Sequence, residues 1–211
     1  MPAASRKSSA KKAAVKKSTG KDAIALLKAD HRKVEKLFAA YEKAKGADKK
    51  RTLARQICTE LVVHTSIEEE IFYPACRGEA KDSTVNEAYV EHDGAKVLVT
   101  EIEAGDPDDE FFDAKVKVLS EEIKHHVKEE ERPGGLFAQA KKAGLDMADL
   151  GKKLKARKQQ LLTGIEADGL PQPEPRTFRE VELGGGARAE REDGRSKRTK
   201  DEGVEATISA N

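Results

Sequence analysis

A histidine and a glutamate four residues apart, His64 and Glu68, are the pair whose types and spacing most directly suggest chemistry. The stretch around them, residues 53–74, has apolar residues at alternating steps of four and three, which is one face of a helix. His64 and Glu68 fall on that same face. A buried, ionised glutamate is strongly disfavoured unless a partner charge or a metal compensates it. The pattern therefore indicates a cation beside this pair.

Further histidines lie at equivalent positions elsewhere in the chain. His31, His92 and His126 each fall on the apolar face of a predicted helix. Glu130 follows His126 by four residues and so repeats the spacing of the first pair, in which the two side chains lie side by side on a helix. Taken singly, such a histidine is more often an ordinary core residue than a ligand. Four predicted helices that each carry one favour a shared site.

The fourth of these helices allows two registers, because His125 and His126 are adjacent. His125 with Glu129 would lie on a half-charged face, whereas His126 with Glu130 lies on a continuous apolar face. We therefore predict that His126 and Glu130 point inward and that His125 flanks the site. The pairing of His125 with Glu129 stays open as the alternative.

Imidazole and carboxylate ligands together suit iron, manganese or zinc. Four histidines and two carboxylates are the ligand count expected of a binuclear site between facing helices of a four-helix bundle. Cys58 and Cys76 form neither a C-x-x-C pair nor a disulfide framework, which argues against a structural zinc finger. The sequence thus predicts a two-metal site built from histidines and glutamates.

Four long amphipathic helices would position these groups. Charged residues make up 37% of the chain and aromatic residues only 4%, a profile that suits helices with solvated outer faces and favours an all-α fold. The predicted helices span about residues 22–45, 83–104 and 108–131. Between the first two of these, the helix that contains residues 53–74 follows a short turn around Gly46 to Asp48 and ends at Pro74. Beyond a Pro-Gly-Gly break, residues 136–162 predict one or two shorter helices interrupted at Gly144.

The two ends of the chain differ in composition from its centre. We predict a disordered basic arm over residues 1–20, a bundle over 21–140, an accessory helix over 141–163 and a disordered tail over 164–211. The first 21 residues carry no acid and these basic residues: Arg6, Lys7, Lys11, Lys12, Lys16, Lys17 and Lys21. Such an arm is either a solubilising tail or a nucleic-acid contact.

No apolar run approaches the roughly 20 residues that span a bilayer, and the beginning of the sequence lacks the apolar region of a signal peptide. Neither cysteine indicates an oxidising compartment. We therefore expect a soluble, cytoplasmic protein with no membrane partner, and the sequence leaves its oligomeric state open.

Four strings, DHRKVE, HTSIEEEIFYP, EHDGAKVL and HHVKEEE, occur in this order. Together they resemble the hemerythrin-like HHE cation-binding domain of bacterial type, over roughly residues 20 to 140. The resemblance implies an up-and-down four-helix bundle that holds a non-haem, carboxylate-bridged di-iron centre. It also implies terminal nitrogen ligands at His31, His64, His92 and His126, and bridging carboxylates at Glu68 and Glu130.

Two positions depart from the invertebrate oxygen carriers of that family. Lys96 stands where they have a second histidine on the third helix, and the fourth-helix carboxylate here fits the bacterial H-x-x-x-E form rather than their later aspartate, a position that is Glu131 in this chain. Oxygen carriage depends on ligand count and on which position stays open. The departures therefore argue against pure reversible oxygen carriage.

The leading expectation is a protein that holds two iron ions, with manganese or zinc as alternatives, and binds or senses dioxygen, peroxide or nitric oxide, or buffers iron. Candidates to hydrogen-bond to the ligands are Glu69, Tyr73, Glu91 and His125, whereas the simplest interpretation of Glu69, Glu70, Glu129 and Glu131 is a solvated surface. One alternative is a di-iron oxidoreductase that acts on peroxide or in iron-centre repair, although no separate acid, base or nucleophile is visible. The other alternative is a nucleic-acid-associated protein that uses the basic arm.

Overall fold

Helices make up the regular secondary structure of residues 22–178, the part of the chain that the structure, a computed structural model, describes. The predicted arm over residues 1–20 and residues 179–211 of the predicted tail lie outside this range. The helices are α1 (Ala23–Glu42), α2 (Ala47–Ile67), α3 (Tyr73–Cys76), α4 (Asp82–Ala104), α5 (Phe112–Glu131), α6 (Leu136–Ala143) and α7 (Met147–Asp168). A π-helical segment, Glu68–Phe72, joins α2 to α3 without a break. The predicted all-α fold is confirmed.

Four rods form the bundle: α1, then α2 with its π-helical segment and α3, then α4, then α5. Short connections join them, so sequential neighbours run antiparallel. Helix α1 packs against α2 and α5, and α4 packs against the same two. Each rod therefore has two neighbours and turns one face towards a common interior.

Two apolar clusters fill this interior, one towards each end of the bundle. Along α1, Leu27 belongs to one cluster and Val34 to the other, and His31 lies between them. The same arrangement holds on α2, where His64 is flanked by Leu61, from the cluster of Val34, and by Ile67, from the cluster of Leu27. The polar residues of the interior thus occupy one layer, at the boundary between the two apolar clusters.

The second rod differs from the prediction at its end. It begins at Ala47, within the short turn predicted around Gly46 to Asp48, and it continues through Pro74 to Cys76. Proline is tolerated there because Pro74 lies in the first turn of α3, where its missing N–H is of little consequence. The chain turns instead at Gly78, whose φ of +74° suits glycine.

Of two later boundaries, the first differs from the prediction and the second agrees with it. Helix α5 begins at Phe112 instead of near residue 108, because Asp106 and Asp109 close a turn in which the Asp106 N–H donates to Asp109 Oδ2 at 2.8 Å. Residues 136–162 form two helices separated at Gly144, whose φ is +82°. This agrees with the predicted interruption.

Helix α7 is longer than predicted. It runs to Asp168, past residue 164 where the tail was predicted to begin, and it packs across α1, α2 and the π-helical segment. Residues 169–178 follow without regular structure and hydrogen-bond to α4. None of the helices between residues 22 and 178 is both long enough and apolar enough to cross a membrane.

Candidate metal centre

All six residues predicted as metal ligands lie in the polar layer of the bundle and are buried. The four histidines among them form two pairs of imidazoles. His31 Nε2 lies 3.1 Å from His64 Nε2, and His92 Nε2 lies 3.3 Å from His126 Nε2. Each of the four rods therefore contributes one imidazole Nε2 at the same depth in the bundle.

The two glutamates each span both imidazole pairs. Glu68 Oε2 lies 3.1 Å from His64 Nε2 and 3.4 Å from His92 Nε2. Glu130 Oε2 lies 3.6 Å from His31 Nε2 and 3.7 Å from His126 Nε2. Each carboxylate thus contacts one histidine of each pair, through a single oxygen.

The alternative register on α5 is not the one that the bundle uses. The His126 side chain is buried, whereas the His125 side chain is 63% exposed and lies 3.3 Å from Glu91 Oε1. Glu129 faces outward and pairs with Arg132. His126 and Glu130 are therefore the pair that points inward.

The second ring nitrogen of each histidine faces a carboxylate on a neighbouring rod. His31 Nδ1 lies 2.8 Å from Glu131, and His92 Nδ1 lies 3.1 Å from Glu69. His126 Nδ1 lies 2.8 Å from Glu91, and His64 Nδ1 lies 3.9 Å from Asp30. An acid at this position fixes the ring and leaves Nε2 free to bind a metal. Three of these contacts are hydrogen bonds, which run from α1 to α5, from α5 to α4 and from α4 to the π-helical segment. His64 Nδ1 and Asp30 Oδ2 are too far apart for a hydrogen bond, and each is buried without a hydrogen-bond partner.

Sequence patterns found some of these acids and missed others. Glu69 and Glu91 were expected near the histidines, and they are. Glu131 was interpreted as solvated surface, but it binds His31 and also pairs with Lys28 at 3.0 Å. Asp30 was not considered, although it directly precedes His31 in the DHRKVE string. Its signal was adjacency to a histidine rather than helical periodicity.

Tyr73 stands at the centre of the polar layer. Its hydroxyl lies 3.2 Å from Glu68 Oε2, 3.0 Å from Glu130 Oε1 and 3.1 Å from His92 Nε2. The π-helical segment makes this contact possible, because the Tyr73 N–H bonds to the Glu68 carbonyl five residues back and aligns the two side chains. Burial, followed by the charges of Glu130 and Glu68, raises the pKa of Tyr73 well above its ordinary value, so the phenol keeps its proton.

The pKa values of the buried groups in this layer indicate that it favours positive charge. Burial, then the charge of Glu68, raises the pKa of Glu130 to about 8. Burial opposes protonation of His64, but the Glu68 carboxylate outweighs it and raises the pKa of His64 to about 10. Burial lowers the pKa of His31 to about 3, and the charge of His64 acts in the same direction.

The donor set fits a transition metal. Glu68 Oε1 and Glu130 Oε2 are buried without a hydrogen-bond partner, and a buried carboxylate oxygen in that state is costly. Three overlapping groups of ligand atoms, each within 4.8 Å, include all six residues. Nitrogen from imidazole and oxygen from carboxylate suit iron, manganese or zinc.

Lys96, on the same face of α4 as His92, is not aimed at the histidines. Its buried ammonium lies 2.8 Å from Glu69 Oε1 and 3.1 Å from Asp93 Oδ1. The residue that stands in place of a further histidine thus compensates the charge of two acids beside the site.

A helical bundle whose interior carries this histidine and glutamate layer is a metal-binding protein of the carboxylate-bundle class. A sequence model of one family, described as Hemerythrin HHE cation binding domain, matches residues 22–133. The chain belongs to this family, as its four sequence strings suggested, and is accordingly a cation-binding protein.

Two individual proteins are also similar. A crystal structure of a Hemerythrin HHE cation binding domain-containing protein from Mycobacterium kansasii has a TM-score of 0.59 with 22% sequence identity, and the match covers 71% of this chain and 94% of that one. This likeness supports the fold. A protein from Nostoc sp. (strain PCC 7120 / SAG 25.82 / UTEX 2576), named DNA nickase, is 30% identical over 106 residues. The match covers 50% of this chain but spans only 30% of the length of that relative.

Proposed function

We propose that the chain holds two iron ions and uses them to bind a small oxidant: dioxygen, hydrogen peroxide or nitric oxide. The ligands in this proposal are four imidazole Nε2 atoms and two bridging carboxylates, from His31, His64, His92, His126, Glu68 and Glu130. The observation that carries it is the position of the two glutamates, each of which contacts one histidine of both imidazole pairs. Such an iron pair supplies a redox-active centre that oxygen and its reduced forms can reach.

The residues of the chain have separate tasks in this proposal. The acids on Nδ1 hold the rings so that Nε2 faces the interior. The two apolar clusters exclude bulk water, which strengthens every charge interaction in the layer between them. Tyr73 keeps a proton on its hydroxyl within 3.0 Å of Glu130, and this proton is available to a bound oxidant.

The size of the interior supports a very small ligand. A cavity of about 10 Å³ lies beside the imidazoles, with Val34, Leu61, Ile123 and Val127 among its walls. That volume is near the lower limit for holding one water molecule.

Metal analysis of the purified full-length protein tests the two-iron assignment. We expect about two iron ions per chain and the near-ultraviolet absorption of an oxo-bridged ferric pair. Glu130→Gln should lower the iron content, while Glu129→Gln should not, because Glu129 faces outward beside Arg132. The same comparison separates the two registers on α5. Protein purified without metal from iron-replete cells would contradict the proposal.

A second candidate uses the same centre for turnover of peroxide. It is favoured by the Tyr73 hydroxyl, which supplies a proton next to both glutamates. Stopped-flow absorption separates the two candidates. Reversible spectral changes with dioxygen or nitric oxide support binding, whereas rapid consumption of many equivalents of peroxide per chain supports an oxidoreductase.

A third candidate is a nucleic-acid-associated role for the basic arm. It is favoured by the run of lysines without acids in residues 1–20 and by the name of the Nostoc relative. The test is a gel shift at stated salt, with the arm lysines and Arg6 replaced by glutamine in the comparison variant. Binding that persists in the variant would refute the role of the arm.

A further inference from the structure

Residues 174–177, which we call the strap, lie along α4 beside the candidate metal centre. Asp93 Oδ2 accepts hydrogen bonds from the backbone N–H of Arg176 at 2.8 Å, from the backbone N–H of Thr177, and from Thr177 Oγ1 at 2.7 Å. Asp93 is buried on α4, next to His92 in the chain. One carboxylate oxygen thus holds the strap through three donors.

A buried lysine on α4 makes a second connection between the strap and this helix. Lys96 Nζ donates to Asp93 Oδ1 at 3.1 Å and to the backbone carbonyl of Glu174 at 3.2 Å. It also lies 2.8 Å from Glu69 Oε1. The ammonium therefore contacts the strap, the acid that holds the strap and the acid beside His92.

Glu69 completes the link to the metal centre. Its buried carboxylate accepts from His92 Nδ1 at 3.1 Å, and Arg176 Nε of the strap lies 3.0 Å from its other oxygen. Three donors, two from α4 and one from the strap, thus fix one carboxylate, which in turn orients the His92 ring. The strap is separated from a proposed metal ligand by a single side chain.

We infer that the strap is part of the metal centre: Arg176 and Lys96 position Glu69, Glu69 positions His92, and metal binding and strap docking stabilise each other. This inference rests on the proposed function. Coupling between two binding events is reciprocal, so metal on His92 must favour the docked strap as much as the docked strap favours metal. The family match ends at residue 133, so this device lies outside the segment that defines the family.

The other three histidines lack such a link among the described residues. Glu131, Glu91 and Asp30, the acids that face their Nδ1 atoms, make ion pairs within residues 22–168 and none with the strap. The strap therefore acts on one of the four imidazoles. Its effect is expected at the ion bound by His92 before the other.

Hydrogen–deuterium exchange of the full-length protein tests the coupling directly. The readout is the amide exchange of Arg176 and Thr177, compared between chelator-treated protein and protein reloaded anaerobically with ferrous iron. We expect exchange about 5-fold or more slower in the loaded form, the lower end of ordinary coupling strengths. Iron content is measured in the same samples.

Substitutions test the direction from strap to metal. Glu69→Gln should weaken iron binding about 10- to 100-fold, as loss of an acid behind a ligating histidine does. Arg176→Gln should weaken it less, because Glu69 keeps two of its three donors. The matched control is Arg157→Gln, since Arg157 pairs with the adjacent Glu70 at 2.6 Å and Glu70 contacts no histidine. Thr177→Val loosens the strap without removing a charge and should act like Arg176→Gln.

The outcomes are separable. Protein that carries two irons but shows equal strap exchange with and without metal overturns the strap inference and leaves the proposed function intact. Equal effects of Arg176→Gln and Arg157→Gln on iron affinity overturn it as well. Protein that binds no iron overturns both.

Discussion

The Tyr73 hydroxyl donates a hydrogen bond of 3.0 Å to Glu130 Oε1 in the middle of the candidate metal centre. Both side chains are fully buried in an interior that is otherwise apolar above and below them. The bond joins the second rod to the fourth across the bundle.

Replacement of Tyr73 by phenylalanine keeps the ring and removes the hydroxyl. In metal-free protein we expect a loss of about 1–3 kcal/mol in the free energy of unfolding, since the buried glutamates lose a hydrogen-bond donor inside the core. In metal-loaded protein the loss should be smaller, because cations then compensate both glutamates. Urea unfolding with and without metal measures the difference. Equal losses in the two forms would show that the phenol does not stabilise the glutamates.

Removal of metal should destabilise the whole bundle. A ligand that binds the folded chain alone adds about 4 kcal/mol when its free concentration is a thousand times its dissociation constant. We therefore expect the melting temperature to fall after chelation and to recover after reloading. Scanning calorimetry measures the shift. An unchanged melting temperature in protein that demonstrably binds metal would mean that the unfolded chain binds it equally well.

Substitution of Lys96 by methionine leaves Glu69 and Asp93 without their shared ammonium. Breaking a buried ion pair from one side costs about 3–5 kcal/mol, and we expect a loss of that size in urea unfolding. The control is Lys115→Met, since the ion pair between Lys115 and Glu101 is partly exposed and such pairs contribute about 1 kcal/mol or less. Similar small losses in both variants would indicate that Lys96 is solvated in solution.

Asp113 provides a pH test far from the metal centre. Hydrogen bonds from Lys50 and then Tyr41 lower the pKa of this carboxyl below its ordinary value. A lowered folded-state pKa means that the stabilisation is complete above the unfolded-state pKa and is lost as the pH falls through the folded one. The stability difference between the natural chain and Asp113→Asn should therefore exist at neutral pH and vanish in acid. A constant difference across a pH series would refute it.

Leu154 tests whether α7 is an integral part of the bundle. Its side chain is completely buried in the apolar cluster that also contains Phe72 and Leu27. Leu154→Ala should cost about 2–5 kcal/mol in the free energy of unfolding, the usual range for a buried leucine. Leu98→Ala, at a partly buried position, is the comparison and should cost less. A negligible effect at Leu154 would mean that α7 docks only loosely.

Periodicity was sufficient to predict the helical fold and the inward positions of His31, His64, His92 and His126. This works because a 3.6-residue repeat fixes which side chains share a face, whatever the neighbouring rods are. The same repeat selected His126 over His125. It says nothing about which acid on a neighbouring rod faces a given ring, and Glu131 was therefore assigned to the surface.

Two features had no periodic signal at all. The π-helical segment Glu68–Phe72 departs from the α-helical repeat, and proline usually ends a helix, so the pattern assigns Pro74 to a helix end. Residues 174–177 carry two charges and Pro175 and follow Pro173, which favours a solvated tail by composition. Their contacts depend on a buried aspartate and a buried lysine on α4, and these partners are visible only in three dimensions.

The three histidine–carboxylate hydrogen bonds have a mechanical consequence. Sliding α4 or α5 by a single turn would break two of them at once, one through its own imidazole and one through the acid that it presents to a neighbouring rod. Side chains thus fix the stagger of these helices along the bundle axis. The same bonds hold three of the four imidazole rings with Nε2 towards the interior.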